Sequence, residues 1–330
     1  MSKTMNKVLT SLVTCGLILT LGASITQAKT YVSIGTNPVG MAWYTKGAAL
    51  AEVLRTEAPD IAVTVEATNG AVHNINLMAM GDIEMSITSA KEAADAYAGQ
   101  GRYKAKLPIL GLFATTEAYS HCVTAADSGI KGFADLKGKR IGVGVAGSST
   151  RVDNQAIFEV LGMKFDDMDA FSETLPEAVE KMKNGQLEAS LWFGVAPLPP
   201  LMDLAQSRDL LWFALSEEKT AELTKKYPYY YYSAIPANTY PNQPNPVPTV
   251  AQRYNMVVLA DMDEDIAYQI TKAAVENFDK LTAIYKGWGT ASRENVLQSM
   301  TIPLHPGAIK YFREINLPGL DEYLAKYPNK

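Results

Sequence analysis

Cysteine is almost missing from this chain of 330 residues: there are two, Cys15 and Cys122. Cys15 lies in an amino-terminal stretch that reads as removable, so no internal disulfide is available afterwards. Stability must then come from apolar cores, which about 300 residues can supply. Histidine is nearly as scarce. His73, His121 and His305 stand far apart without ligand spacing, so no metal site is expected. Positive charge is in deficit, with 30 Lys and Arg against 35 Asp and Glu, a net −5. Losing Lys3 and Lys7 with the leader makes it −7, and an acidic chain argues against a nucleic-acid partner. No apolar run after residue 28 is long enough to span a bilayer, and no repeat or low-complexity segment is present.

Residues 1–28 have the pattern of a secretory signal peptide. Lys3 and Lys7 form a basic head, Val8–Leu21 is mostly apolar, and Thr26-Gln27-Ala28 resembles a small-residue cleavage site. Thr10, Ser11, Thr14 and Gly16 interrupt the apolar run, which makes it a poor membrane anchor. Thr14 is an unusual residue before a lipid-bearing cysteine, so Cys15 is not expected to carry a lipid. The reading is a periplasmic protein cleaved near Ala28. Cys122, in the apolar run His121–Ala125, is expected to be buried.

The mature chain is organised around Lys139–Arg151. Ile141, Val143 and Val145 alternate with small residues as a strand does, and Ala146-Gly147 breaks the pattern. Ser148, Ser149 and Thr150 offer caps to an amphipathic helix, Val152–Leu161. Free N–H groups and the helix dipole make such a start a place to hold an anion. Gly142, Gly144 and Gly147 also spell G-x-G-x-x-G, but the first two interrupt the strand and the helix begins only after the third. That spacing does not suit a dinucleotide.

Strand, loop and helix alternate along the rest. Tyr31–Gly35 is followed by the helix Met41–Glu57, Ile61–Ala67 by Ala71–Met80, and Glu84–Thr88 by Lys91–Ala98. Leu107–Thr115 and Ala118–Thr124 read as one strand continued across a hinge. A second set follows: Val152–Leu161, a strand near Asp169–Ser172, Pro176–Asn184, Glu188–Phe193, a helix from Leu201 and a strand at Leu210–Leu215. Tyr227–Tyr232 reads as a crossing strand, Pro236–Pro248 as an excursion, Ala251–Leu259 as a strongly apolar strand, and Glu264–Tyr285 as one long helix capped by Asp263. The alternation predicts an α/β fold of two lobes joined by crossing strands around a ligand cleft. Lobe 1 is expected at 29–117 and 234–330, lobe 2 at 118–233. The loops Thr36–Gly40, Thr68–Gly70, Thr88–Ala90, Gly147–Thr150 and Trp192–Pro197 fall where open α/β sheets bind ligands.

Several runs then fit one family. They are Tyr31–Tyr44, Thr68-Asn69-Gly70-Ala71-Val72-His73-Asn74, Asp127-Ser128-Gly129-Ile130, Leu136-Lys137-Gly138-Lys139-Arg140 and Gly147-Ser148-Ser149-Thr150-Arg151, followed by Ile235–Tyr240, Val247–Val250 and His305-Pro306-Gly307-Ala308. In this order they resemble the TAXI family, the TRAP-associated extracytoplasmic immunogenic solute receptors, over nearly the whole mature chain. The resemblance implies a type II periplasmic-binding-protein fold and a receptor that passes a small organic anion, such as glutamate or 2-oxoglutarate, to the membrane permease subunits of an ion-driven tripartite (TRAP) transporter. It implies no cofactor and no enzyme activity. It also maps the site loops onto Gly35–Tyr44, Asn69–Asn74, Thr88–Ala90 and Gly147–Thr150. Thr88-Ser89-Ala90 stands where the family often has Gln-Ser-Asp, and without that Asp an amino-acid ligand is less favoured.

The candidate ligand-binding residues are Thr36, Asn37, Trp43, Tyr44, Asn69, Asn74, Thr88, Ser89, Gly147, Ser148, Ser149, Thr150, Arg151, Trp192 and Phe193. Ser148–Thr150 suit a carboxylate, but equally an ordinary helix cap. Arg151 suits a bidentate carboxylate or a brace within its lobe. Asn69-Gly70 is also a standard turn. The aromatics form either a ligand wall or lobe core, and Lys91 either adds positive charge to the cleft or is solvated. Two other functions compete. Ser128-Gly129-Ile130-Lys131 matches the Ser-x-x-Lys of acyl enzymes, without the accompanying Ser-Asp-Asn and Lys-Thr-Gly elements. A receptor for an ATP-driven importer would share the same fold.

Overall fold

The computed structural model describes residues 29–329; the signal-peptide reading and Cys15 lie outside the described residues. The first half-sheet grows from β1 (Thr30–Gly35), α1 (Ala42–Glu57), β2 (Ile61–Glu66), α2 (Ala71–Met80), β3 (Met85–Thr88) and α3 (Ala90–Ala98). β4 (Ile109–Ala125) then leads to β5 (Arg140–Gly142), α4 (Ser149–Val160), β6 (Asp169–Phe171), α5 (Leu175–Lys183), β7 (Ala189–Gly194), α6 (Pro199–Ser207) and β8 (Leu210–Phe213). After α7 (Glu217–Lys226) and β9 (Tyr231–Ile235), β10 (Val247–Leu259) returns to α8 (Glu264–Glu276), α9 (Phe278–Ile284), α10 (Pro306–Glu314) and α11 (Leu320–Lys326).

The strands form one sheet in the order β2-β1-β3-β10-β4-β7-β5-β6, with β8 on β4 and β9 on β10. Its two ends are parallel: β1 pairs with β2 and β3, and β5 with β6 and β7. Between them β4 and β10 run antiparallel. A sheet that is parallel at both ends and crossed by two long antiparallel strands is the two-lobed, type II periplasmic-binding-protein arrangement.

The cores follow that division. One gathers Val32 through Ala118 with Tyr254 through Tyr323. Two others gather the middle of the chain, from Tyr119 and Cys122 to Val250 and Ala251, with Ala90 reaching in from α3. β4 and β10 therefore pass from one core to the other within single strands. At the passage both turn polar: Thr115, Thr116 and Glu117 on β4, and Gln252, Arg253 and Asn255 on β10. The register also shifts there, between Arg253 and Asn255.

Several expectations need correction. The strand at Ile141–Val145 ends at Gly142, because Gly144 takes φ +84°. The pieces at Leu107–Thr115 and Ala118–Thr124 are one unbroken strand, β4. Asn277 splits the helix expected at Glu264–Tyr285; its side chain donates to the Ala273 carbonyl at 2.9 Å and the backbone leaves helical geometry. The Tyr-rich stretch turns first and enters β9 only at Tyr231. Ala251–Leu259, read as strongly apolar, contains the polar residues of the passage. Cys122 is buried as expected, and burial pushes its thiol up to about 12.

Candidate functional site

The loop after each parallel strand opens onto a helix start, and the start of α4 faces the first lobe. Ser148 caps α4, accepting from the Arg151 N–H at 3.3 Å while its hydroxyl donates to the Val145 carbonyl at 2.8 Å. Gly147, at φ +80°, lies opposite Val72 of α2; a Cβ built on it would stand 3.9 Å from the valine Cβ. Ser149 lies beside the phenol of Tyr254, which belongs to the first core. Thr150 turns into its own lobe, its hydroxyl bonding the Phe193 backbone at 3.3 and 3.4 Å.

The other expected residues divide into those that hold the site loops and those that face the passage. Thr36 donates to the Glu66 carbonyl at 2.8 Å. Asn37 accepts from the Tyr44 N–H at 2.8 Å, in effect capping α1. Asn74 is fully buried: its amide donates to the Thr36 carbonyl at 2.8 Å and reaches that of Ile87 at 3.4 Å, while its oxygen accepts from Thr68. It therefore fastens three site loops together. Asn69 is exposed, its N–H donating to His73 Nδ1 at 3.2 Å. Ser89 caps α3. Thr88 is buried, and its hydroxyl has no partner among the described residues. Trp43 packs edge-on against Tyr254, with ring centroids 4.9 Å apart. Tyr44 and Trp192 are half-buried. Phe193 is core, tilted on Tyr230. Arg151 holds its guanidinium 4.2 Å from the centre of the Phe165 ring, which packs against one of the second-lobe cores. Lys91 pairs with Asp95 at 2.6 Å and sits over the Tyr227 ring.

The strongest electrostatic feature was not among the expected residues. Lys46 is fully buried on α1. Its ammonium donates to the Thr116 hydroxyl and lies 5.6 and 5.7 Å from the ring centres of Tyr254 and Trp288. Burial, with Arg253 beside it, lowers its pKa to about 7. Arg253 is buried as well, bonded through Nε to Gln298 at 2.8 Å and through Nη1 to the carbonyls of Thr115 and Thr290 at 3.0 and 2.7 Å. Among the described residues neither cation forms an ion pair. Glu117, opposite Arg253 in the register, is occupied by the Tyr119 hydroxyl and Ser233, each at 2.8 Å. Sequence held a signal for Lys46: it shares the buried stripe of α1 with Ala49, Leu50 and Val53, where an unpaired lysine is out of place. Asp153, one turn below Ser149 on α4, is also buried, and burial raises its carboxyl to about 7.

The competing motif takes a plain form. Ser128 accepts from Thr124 at 2.7 Å and from the Ile130 N–H at 3.1 Å, while Lys131 is exposed. Among the described residues no three His, Cys, Asp or Glu side chains converge as metal ligands, and no helix is long and apolar enough to cross a membrane.

A profile described as the NMT1-like family matches residues 34–315. Among solved structures, one from Bordetella bronchiseptica RB50 is 16% identical, aligned over 91% of this chain and 99% of that one with a TM-score of 0.52. Another, from work on glutathione import via GshT and the cystine ABC importer TcyBC of Streptococcus mutans, is 12% identical over 79% and 95%, with a TM-score of 0.50. The periplasmic aliphatic sulphonate binding protein SsuA of Escherichia coli is 14% identical over 90% and 79%, with a TM-score of 0.45.

Proposed function

This chain belongs to the NMT1-like family, and from that premise we propose that it is a periplasmic solute-binding receptor that closes its two lobes on a small organic anion and presents it to a membrane importer. One observation carries the anion: Lys46 is a fully buried amine with a hydroxyl and two aromatic faces around it and, among the described residues, no carboxylate paired with it. A buried charge is expensive unless paired. A receptor that takes its counter-charge from a guest has reason to keep one. Arg253 adds a second positive group, and the start of α4 adds amides and Ser149 from the opposite lobe.

In this reading Thr36, Asn37, Asn74, Ser89, Ser148 and Thr150 shape the loops. Trp43, Tyr44, Thr88, Gly147 and Ser149 line the gap. Lobe 1 begins at 29 and gives way to lobe 2 at about 117 on β4. Because Ile235, Tyr240 and Val250 pack in the second-lobe cores, we place the return crossing on β10 at the polar passage. Residues 1–28 serve as the export signal.

For the coupling, an ATP-driven importer is the first reading, supported by the Streptococcus mutans neighbour, whose description names an ABC importer. The ordered motifs that resemble the TAXI family favour an ion-driven TRAP permease as the second. A permease gene beside this one, with or without an ATPase gene, separates the two.

The anion is tested by a thermal-shift screen of dicarboxylates, hydroxyacids, 2-oxoacids and acidic amino acids against neutral compounds of similar size. At a hundredfold excess over Kd, a true guest adds about 2.7 kcal/mol to the folded state and raises Tm. A rise with neutral compounds and none with anions would overturn the proposal.

A further inference from the structure

A groove that shares no residue with the anion reading runs between α7 and β9. It encloses about 520 Å³, inside the range of about 300–1,000 Å³ that ligand pockets span. Glu217, Thr220, Ala221 and Thr224 form one wall, a single stripe at helical spacing. Tyr230–Tyr232 form the other.

The strand wall is an open sheet edge. β9 pairs with β10 and with no other strand among the described residues. Pro248 stands opposite Ala234 and has no N–H to exchange, so the ladder bonds fall on the flanking pairs, Ile235 with Val247 and Ser233 with Thr249. By the same alternation Tyr232, opposite Val250, turns its N–H and C=O away from β10. Proteins commonly close such an edge with a charge or a proline. Tyr231–Ile235 holds neither, and Tyr232 is 57% exposed.

The helical wall limits what can use that edge. α7 has ten residues, about 15 Å, the span of four or five extended residues at about 3.3 Å each. Its inner side is committed to the second lobe: Leu223 is buried in the core, Lys219 donates to the Val160 carbonyl at 2.9 Å and Lys226 pairs with Glu159 at 2.6 Å. Ala221 is exposed and short, which leaves the groove unfilled from the helix side. Glu217 is the one charge on the lining and has no ion pair among the described residues. A peptide in extended form matches all three features. Its backbone answers the edge, its side chains lie between threonine and tyrosine, and a cation answers Glu217.

We propose that this groove docks an extended peptide segment of a partner protein, added as a strand beside Tyr232 with a basic side chain against Glu217. The proposal goes beyond the anion reading and does not depend on it.

The test is fluorescence anisotropy of the protein with the labelled, end-blocked pentapeptide Val-Thr-Lys-Thr-Val. The peptide should bind, and its counterpart with glutamate at the centre about threefold or more weakly. A strand uses every other N–H. Of two forms N-methylated on alternate sets of residues, one should therefore lose about tenfold and the other little. Tyr232→Pro removes the edge N–H without touching the ladder, and Ala221→Leu narrows the groove; each should weaken the lysine peptide about tenfold. Ala221→Leu, at an exposed helical position, supplies the test should the proline variant fold poorly. No binding of the lysine peptide, equal binding of the two N-methylated forms, or binding that survives Ala221→Leu would overturn the proposal. Self-association of the protein that these substitutions abolish, without peptide binding, would overturn it in favour of a second copy on the same edge.

Discussion

Lys46→Met should make the protein more stable and unable to respond to its ligand. The wild-type ammonium is held in a dry site with a pKa of about 7 against 10.5 free. Between those values the unfolded chain binds the extra proton, so stability rises as pH increases from about 7 to 10.5 and is flat below. At about 1.4 kcal/mol per pH unit, that interval corresponds to on the order of 5 kcal/mol of penalty at neutral pH. Methionine, one heavy atom shorter than lysine, still packs against the Tyr254 and Trp288 rings and gives up the ammonium with its bond to Thr116. A net gain of about 2–4 kcal/mol is expected, seen as a Tm several degrees higher at pH 7 and as loss of the alkaline rise. The variant should show no anion-induced shift. In the wild type the guest re-protonates Lys46, so the ligand shift should be larger at pH 6 than at pH 9. A less stable variant that still binds anions would mean that Lys46 is a structural cation.

Gly307→Ala should cost about 3 kcal/mol or more and leave the site chemistry untouched. Gly307 sits in the first turn of α10 against α8. A Cβ there would lie 2.2 Å from the Glu264 carbonyl oxygen and 2.5 Å from the Tyr268 nitrogen. Both are backbone atoms, so the helices have to separate and the core around Ala267, Tyr311 and Phe312 opens with them. Gly132→Ala is the control, since nothing lies within 4 Å of its added Cβ and its φ is extended. Denaturant melts should show a large drop for the first and a change within about 0.5 kcal/mol for the second. Equal stability would mean that the α8–α10 approach is looser than described.

His305-Pro306-Gly307-Ala308 was legible as a motif, yet only packing explains its glycine. The same contrast runs through the molecule. Features set by local chemistry could be read: the helix start at Ser148, the stripe of α1, and the alternation of β1 to α3. α7 left a faint trace because Glu217–Lys226 is polar almost throughout and buries only Thr220 and Leu223. Asn74 stood out as polar, but its use in joining three loops depends on contacts across 38 residues. The polar passage was hidden for a related reason. Lys46 sits singly in the stripe of α1, Thr115–Glu117 and Gln252-Arg253 are short polar breaks in otherwise apolar runs, and only the pairing of β4 with β10 and the seat of α1 bring them to one level.

Native mass spectrometry of the protein isolated from its native host, beside Lys46→Met, tests the central claim most directly. The account predicts a one-to-one adduct on the wild type that denaturation releases as a small carboxylate, and none on the variant. A neutral adduct, or a carboxylate held equally by both proteins, would contradict it.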